Sequence, residues 1–248
     1  MKKMYKAVIF DLFDTLVDFD RRRIPLITIE GREIRTTAGE TYKVLAQHAP
    51  HLSFETYYQV LSAVTKELLA LRERDHLEIP ARRRYELLCD RLGMPRDGAA
   101  EHCIDDMLAT HHRYMHDSTV CPPERTQVVE ALKVRYPLGL LSNFDSAETG
   151  MKILATHGLR PYFSPIHISE ALGYRKPRRE AFQHTAETMG VAPQDVLFIG
   201  DTFALDVVGA KGVGMDAVWF DRQKTPPDLD QARPDYTITR LSDLLEIL

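Results

Sequence analysis

Apolar residues cluster along the chain in short, unbroken runs, each stopped by a carboxylate, a serine or a glycine. The runs lie at 6–10 (KAVIF), 138–142 (LGLLS), 165–169 (PIHIS), 196–200 (VLFIG), 216–220 (DAVWF) and 236–239 (YTIT). Runs without alternation are what strands covered on both faces require, and such strands belong to parallel sheets. Between them lie segments with helical spacing: 124–135, 146–158, 178–190 and a shorter one at 204–214, three of which end at glycine. Strand alternating with helix predicts a doubly wound, Rossmann-like parallel sheet of the α/β class, with ligands gathered at the carboxyl ends of the strands.

Residues 19–118 break that rhythm. The segment RIPLITIEGREIRTTAGE leaves a hairpin about Glu30-Gly31 and an irregular loop both open. SFETYYQVLSAVTKELLALRERD reads as a long amphipathic helix with Ser53 as its N-cap, and PARRRYELLCDRLG and AAEHCIDDMLATHHRYMH continue in helical period. This predicts a core of residues 1–18 and 119–248 and a helical cap of residues 19–118, inserted where the chain leaves and re-enters the sheet near Asp11. The stretch QKTPPDLDQARPDY (223–236) reads as a loop.

Composition narrows the options. With 44% hydrophobic and 27% charged residues the chain is ordinary for a globular protein, and its net charge of −4 gives no electrostatic case for nucleic acid or an anionic membrane. The apolar run before Asp11 is too short for a signal sequence or a membrane span. Cys89, Cys103 and Cys121 form no CxxC pair and read as thiols in a reducing, cytoplasmic setting. The oligomeric state is not legible.

Candidate chemistry sits where the strands end. Asp11 follows VIF, Ser142-Asn143 close LGLL, Lys176-Pro177 precede a helix, and GDTFALD (200–206) follows VLFI. In a parallel sheet these four clusters share one edge. Singly each has an ordinary structural reading: GDxxxxD as a capped turn, KP as a solvated lysine, SN as a turn. A carboxylate closing a buried strand is harder to dismiss, because burying it without a partner is costly.

The ordered set resembles the haloacid dehalogenase-like (HAD) hydrolases, in the group with a helical cap inserted after the first motif, and the resemblance spans nearly the whole chain. It implies a covalent mechanism with Asp11 as nucleophile and Ser142 and Asn143 at the transferred group. Lys176 would offset negative charge on the nucleophile and the substrate. Asp201 and Asp206 would hold Mg²⁺, directly or in support, together with Asp11 and the backbone carbonyl of Phe13. A carboxylate can attack an anionic phosphoryl group only if cations neutralise the charge, which agrees with that assignment.

One position departs from the pattern. Phosphatases of this family carry an aspartate two residues beyond the nucleophile, as acid and base toward the leaving group; here Phe13 stands there, with Asp14 next to it. Phe13 keeps a carbonyl for the metal and removes the proton donor, and general acid–base help is worth about 10²–10⁴-fold. Three readings stay open. The first is a Mg²⁺-dependent phosphoric monoester hydrolase for a small phosphorylated metabolite, favouring good leaving groups or taking a proton from Asp14. The second is a 2-haloacid dehalogenase, which shares an aromatic residue here and needs no acid for halide departure. Asp201 would repel its anionic substrate, and the 53–71 segment lacks the expected arginine. The third is a binding or regulatory protein without turnover. Arg21–Arg23 and Arg82–Arg84 read as solvated surface rather than substrate contacts, His111, His112 and His116 as exposed helix residues, and Tyr57, Tyr58 and Tyr114 as packing.

Overall fold

The computed structural model describes residues 3–95, 97–222, 224 and 230–248. The chain divides into two compact units, Met1–Phe19 with Val120–Leu248, and Asp20–Thr119.

The first unit is built on a six-stranded sheet. Its order is Tyr236–Ile238, Asp216–Phe220, Val196–Gly200, Ala7–Phe10, Leu138–Ser142, Ile166–Ile168, and the pairings are parallel. The first strand in sequence thus lies inside the sheet, with later strands added on both sides, which is the doubly wound arrangement the apolar runs predict. Successive side chains of a strand point to opposite faces. Val8, Phe10, Leu138, Leu140, Leu197 and Ile199 therefore pack in one core, and Ala7, Ile9, Leu141, Val196 and Phe198 in the other. Helices Pro123–Lys133, Ala147–Thr156 and Arg179–Thr188 contribute Val128, Val129, Leu132, Ile153 and Leu154 to the first core and Ala181, Phe182 and Ala186 to the second. The unbroken runs are apolar because both faces are covered. The run read at 165–169 is a shorter strand, Ile166–Ile168, half-buried at the sheet edge.

The second unit opens with the hairpin Leu26–Ile29/Arg32–Arg35. Glu30 and Gly31 take positive φ (51° and 76°) at its tip, which settles the choice between hairpin and loop. Four helices follow: Ala38–His48, Phe54–Asp75, Ala81–Arg91 and Gly98–Asp117. Ser53 caps the second by accepting from the Thr56 amide at 3.2 Å. They close on Leu45, Tyr57, Leu61, Tyr85, Leu88, Cys103 and Met107. The histidines depart from expectation. His111 is buried and shares a 2.9 Å hydrogen bond with Thr37 Oγ1, because it continues the buried stripe of Cys103 and Met107 at four-residue steps, and His112 and His116 are half-buried. Arg82 is held by Glu86, Glu101 and Asp105, so it forms a surface ion-pair network. Of the loop read at 223–236, residues 223 and 225–229 lie outside the described residues, and Tyr236 already belongs to the strand Tyr236–Ile238. Among the described residues no helix is long and apolar enough to cross a membrane.

Candidate active site

Sheet register brings the site together. Phe10 pairs with Ile199 on one side and Leu140 on the other, so Asp11, Gly200-Asp201 and Ser142-Asn143 emerge at the same edge. The Asp11 amide donates to the Ile199 carbonyl at 2.9 Å, which carries the pairing to Asp11 itself. Lys176 arrives from the segment ahead of helix Arg179–Thr188 and is fixed by Asn143: the Lys176 amide donates to Asn143 Oδ1 at 2.8 Å, and Asn143 Nδ2 donates to the Lys176 carbonyl at 3.0 Å. Asn143 therefore acts as a bracket between two loops, a part that its sequence position did not reveal.

The buried Lys176 ammonium lies 2.6 Å from Asp11 Oδ1 and 2.7 Å from Asp206 Oδ1. Asp206 reaches it from an irregular turn, Phe203–Val207, that is wound wider than an α-helix, where the sequence had read a plain helix over 204–214. Its other oxygen, Oδ2, accepts from the Thr202 amide at 2.9 Å. Asp201 is tethered through its backbone, whose carbonyl accepts from Trp219 Nε1 at 2.9 Å, while its carboxylate touches Thr202 Oγ1 at 3.2 Å. Asp11, Asp201 and Asp206 each offer an oxygen within 4.8 Å of the others.

Three carboxylates face one ammonium here, and their protonation reflects it. Burial pushes the Asp11 carboxyl up from 3.8 to about 6, against the pull of Lys176 and helped by Asp206. Burial and then the neighbouring Asp11 and Asp206 charges push Asp201 to about 7. Burial alone would lower the Lys176 ammonium, but Asp11 and Asp206 outweigh it and hold it above its ordinary value. The donor set fits a hard divalent cation: oxygen ligands, excess negative charge and a half-buried carboxylate, Asp201, still open for bonding. The Ser142 hydroxyl is buried without a partner among the described residues, as is Thr15 Oγ1, and a buried orphan donor at a site edge fits an anion that is not part of the chain.

Gly200 lets Asp206 lie against the strand. A Cβ at this position would overlap the Asp206 carboxyl group. Gly200→Ala is therefore expected to displace Asp206 and to weaken divalent-cation binding by about tenfold or more, measured by titration calorimetry.

Phe13 is half-buried and packs on Phe144, with ring centroids 4.8 Å apart and planes at 50°. Asp14 is engaged elsewhere. Its φ is 59°, and its Oδ1 accepts from Arg222 Nη2 at 3.1 Å and from the Phe19 amide at 3.4 Å.

A sequence model of the haloacid dehalogenase-like hydrolases matches residues 5–214. The chain belongs to that family, and it is a hydrolase. It is similar, at 29% identity over 98% of its length and 92% of the relative's, to glyceraldehyde 3-phosphate phosphatase of Pyrococcus furiosus. It is 27% identical to pyrimidine 5'-nucleotidase PynA of Streptococcus pneumoniae, covering 98% of this chain and 95% of that one. Among solved structures it resembles a 2-haloacid dehalogenase from Pseudomonas syringae pv. Tomato, with a TM-score of 0.75 and 26% identity over 98% of both chains.

Proposed function

We propose that the chain is a Mg²⁺-dependent phosphatase for a small phosphorylated metabolite, working through an aspartyl-phosphate on Asp11. The observation that carries this reading is the surplus of carboxylate at the site: Asp11, Asp201 and Asp206 around the single ammonium of Lys176. Asp11, Asp201 and the Phe13 carbonyl would hold Mg²⁺, with Asp206 supporting from behind, since its Oδ2 accepts from the Thr202 amide and its Oδ1 is ion-paired with Lys176. Bound there, the ion would supply positive charge against the phosphoryl oxygens. Asp11 attacks phosphorus while the P–O bond to the leaving group breaks, and the leaving oxygen departs with the electron pair as a carboxylate or phenolate; water then attacks phosphorus, the bond to Asp11 breaks to restore the carboxylate, and the released phosphate keeps the water's protons. Lys176 balances the charge on Asp11, and Ser142 donates its free hydroxyl to the transferred group. The helical unit, read as residues 19–118, takes the part of the substrate-selecting cap.

Phe13 leaves the departing alcohol without a proton donor, so acyl and aryl phosphates are the favoured substrates. The phosphatase names of the two relatives support phosphoryl chemistry. A second reading, haloacid dehalogenation, is favoured by Phe13 and by the likeness to the Pseudomonas enzyme, but it gives no role to Asp201 beside Asp11.

Phosphate release from acetyl phosphate and p-nitrophenyl phosphate, and chloride release from 2-chloropropionate, are compared with Mg²⁺ and with EDTA. Metal-dependent phosphate release supports the proposal. EDTA-resistant chloride release replaces it with the second reading, and silence on every substrate leaves a binding protein.

The protonation of the cluster gives a further expectation. Asp11 and Asp201 hold protons more tightly folded than unfolded, where both start near 3.8. The stability gained from those protons is complete below the unfolded value and is lost as pH rises through about 6 and then about 7. Mg²⁺ requires the deprotonated carboxylates, so its thermal shift is expected to be much larger at about pH 8 than at about pH 5. Equal shifts at both would place the ion elsewhere.

A further inference from the structure

Arg222 lies just beyond the strand Asp216–Phe220, at the same sheet edge as the carboxylate cluster but outside it. Its Nη1 lies 2.6 Å from Asp18 Oδ1 and its Nη2 lies 3.1 Å from Asp14 Oδ1. These two carboxylates bracket a tight turn. The Asp14 amide donates to the Val17 carbonyl at 2.6 Å, and the Leu16 and Val17 amides both donate to the Leu12 carbonyl, at 2.8 and 3.0 Å. Asp14 holds a left-handed conformation, φ 59°, which side-chain-bearing residues adopt at a cost and which therefore has to be held by something else. The turn begins at Asp11 and contains the Phe13 carbonyl, so whatever fixes Asp14 also fixes the aim of both.

The far side of the clamp is tied to the core. Arg125, nearly fully buried, reaches the same Asp18 oxygen through Nη2 at 2.8 Å. The Phe220 ring contacts both guanidinium groups, 5.6 Å from Arg125 and 5.5 Å from Arg222. An arginine suits this task because its planar fork bridges two acceptors at once, which a lysine ammonium on a flexible stem does poorly. The same contact pairs the Asp14 carboxylate, which would otherwise add an unbalanced negative charge beside a site already rich in them.

We infer that Arg222 is a positioning residue that locks the Asp11–Val17 turn by bridging Asp14 and Asp18, and so sets the attack geometry of Asp11. The reaction half of this inference rests on the proposed role of Asp11; the clamp itself does not. Among the described residues Arg222 pairs with Asp14 and Asp18 and not with the cluster of Asp11, Asp201 and Asp206. Its loss acts through the turn, and small misplacements of reacting groups cost on the order of a hundredfold in rate.

The test is Arg222→Gln and Arg222→Lys, followed by amide hydrogen exchange, thermal melting and steady-state kinetics on p-nitrophenyl phosphate with Mg²⁺. In Arg222→Gln the amides of Asp14, Leu16 and Val17 are expected to lose protection while the sheet amides keep theirs. kcat is expected to fall by about ten- to a hundredfold with KM nearly unchanged. Arg222→Lys, which can retain one of the two contacts, is expected to fall between. Wild-type protection of the turn in Arg222→Gln overturns the inference, and so does lost protection with unchanged kcat. Loss spread over the whole sheet with a lowered Tm also overturns it, since Arg222 would then only stabilise the fold. If the wild type releases no phosphate, the proposed function fails, and exchange in the turn alone still decides whether the clamp exists.

Discussion

Lys176→Met is expected to abolish measurable turnover and to destabilise the ion-free protein by about 3–5 kcal/mol, the usual cost of removing one partner from a buried ion pair. Lys176 is 2% exposed, and its ammonium serves Asp11 and Asp206 together. Methionine fills a similar volume and keeps the contact with the Phe198 ring, over which the ammonium sits at 5.3 Å, so the loss is electrostatic rather than steric. Three carboxylates would then lie together without their ammonium, and the folded protein would have to protonate one or more of them. Urea denaturation should accordingly show a deficit that widens from acid to neutral pH. Mg²⁺ should restore more stability to the variant than to the wild type, because it meets a larger unbalanced charge. Wild-type stability of Lys176→Met at neutral pH without metal would mean that these carboxylates are already protonated or solvated, and the charge argument for the site would fail.

Phe13→Asp is expected to raise kcat/KM on alkyl phosphates by about 10²–10⁴-fold, the range that a positioned acid contributes. On p-nitrophenyl phosphate, whose leaving group departs without help, the change should be small. The proposed phosphatase mechanism wants an acid at the position of Phe13, and Asp14 is held by Arg222 and the Phe19 amide. The substitution also removes the Phe13–Phe144 contact, worth about 0.5–1.5 kcal/mol, so a modest fall in Tm accompanies the gain. Phe13→Leu, apolar but smaller, separates the two effects: it should lose the ring contact and gain no rate. An Asp variant no faster than the Leu variant on alkyl phosphates would show that a missing proton donor is not what limits the enzyme.

The sequence by itself determined the sheet and the set of residues at its edge. Unbroken apolar runs report backbone buried on both faces, and a parallel sheet sends the carboxyl ends of its strands to one side. Asp11, Ser142, Asn143 and Asp201 therefore group at one edge from the order of the runs alone. Spacing alone could not say how charges pair. Lys176 and Asp11 are 165 residues apart, and Arg222 and Asp14 are 208 apart. Which carboxylate a buried ammonium serves depends on where the packed loops bring it, and no local periodicity records that. The division of labour in the cluster, with Asp206 on Lys176 and Thr202 while Asp201 stays open, was decided by the wide turn Phe203–Val207 and by the missing side chain at Gly200. Burial of His111 belongs to the same class: it continues the stripe of Cys103 and Met107, but a polar ring is kept inside only where a partner meets it, and Thr37 arrives from another element 74 residues away.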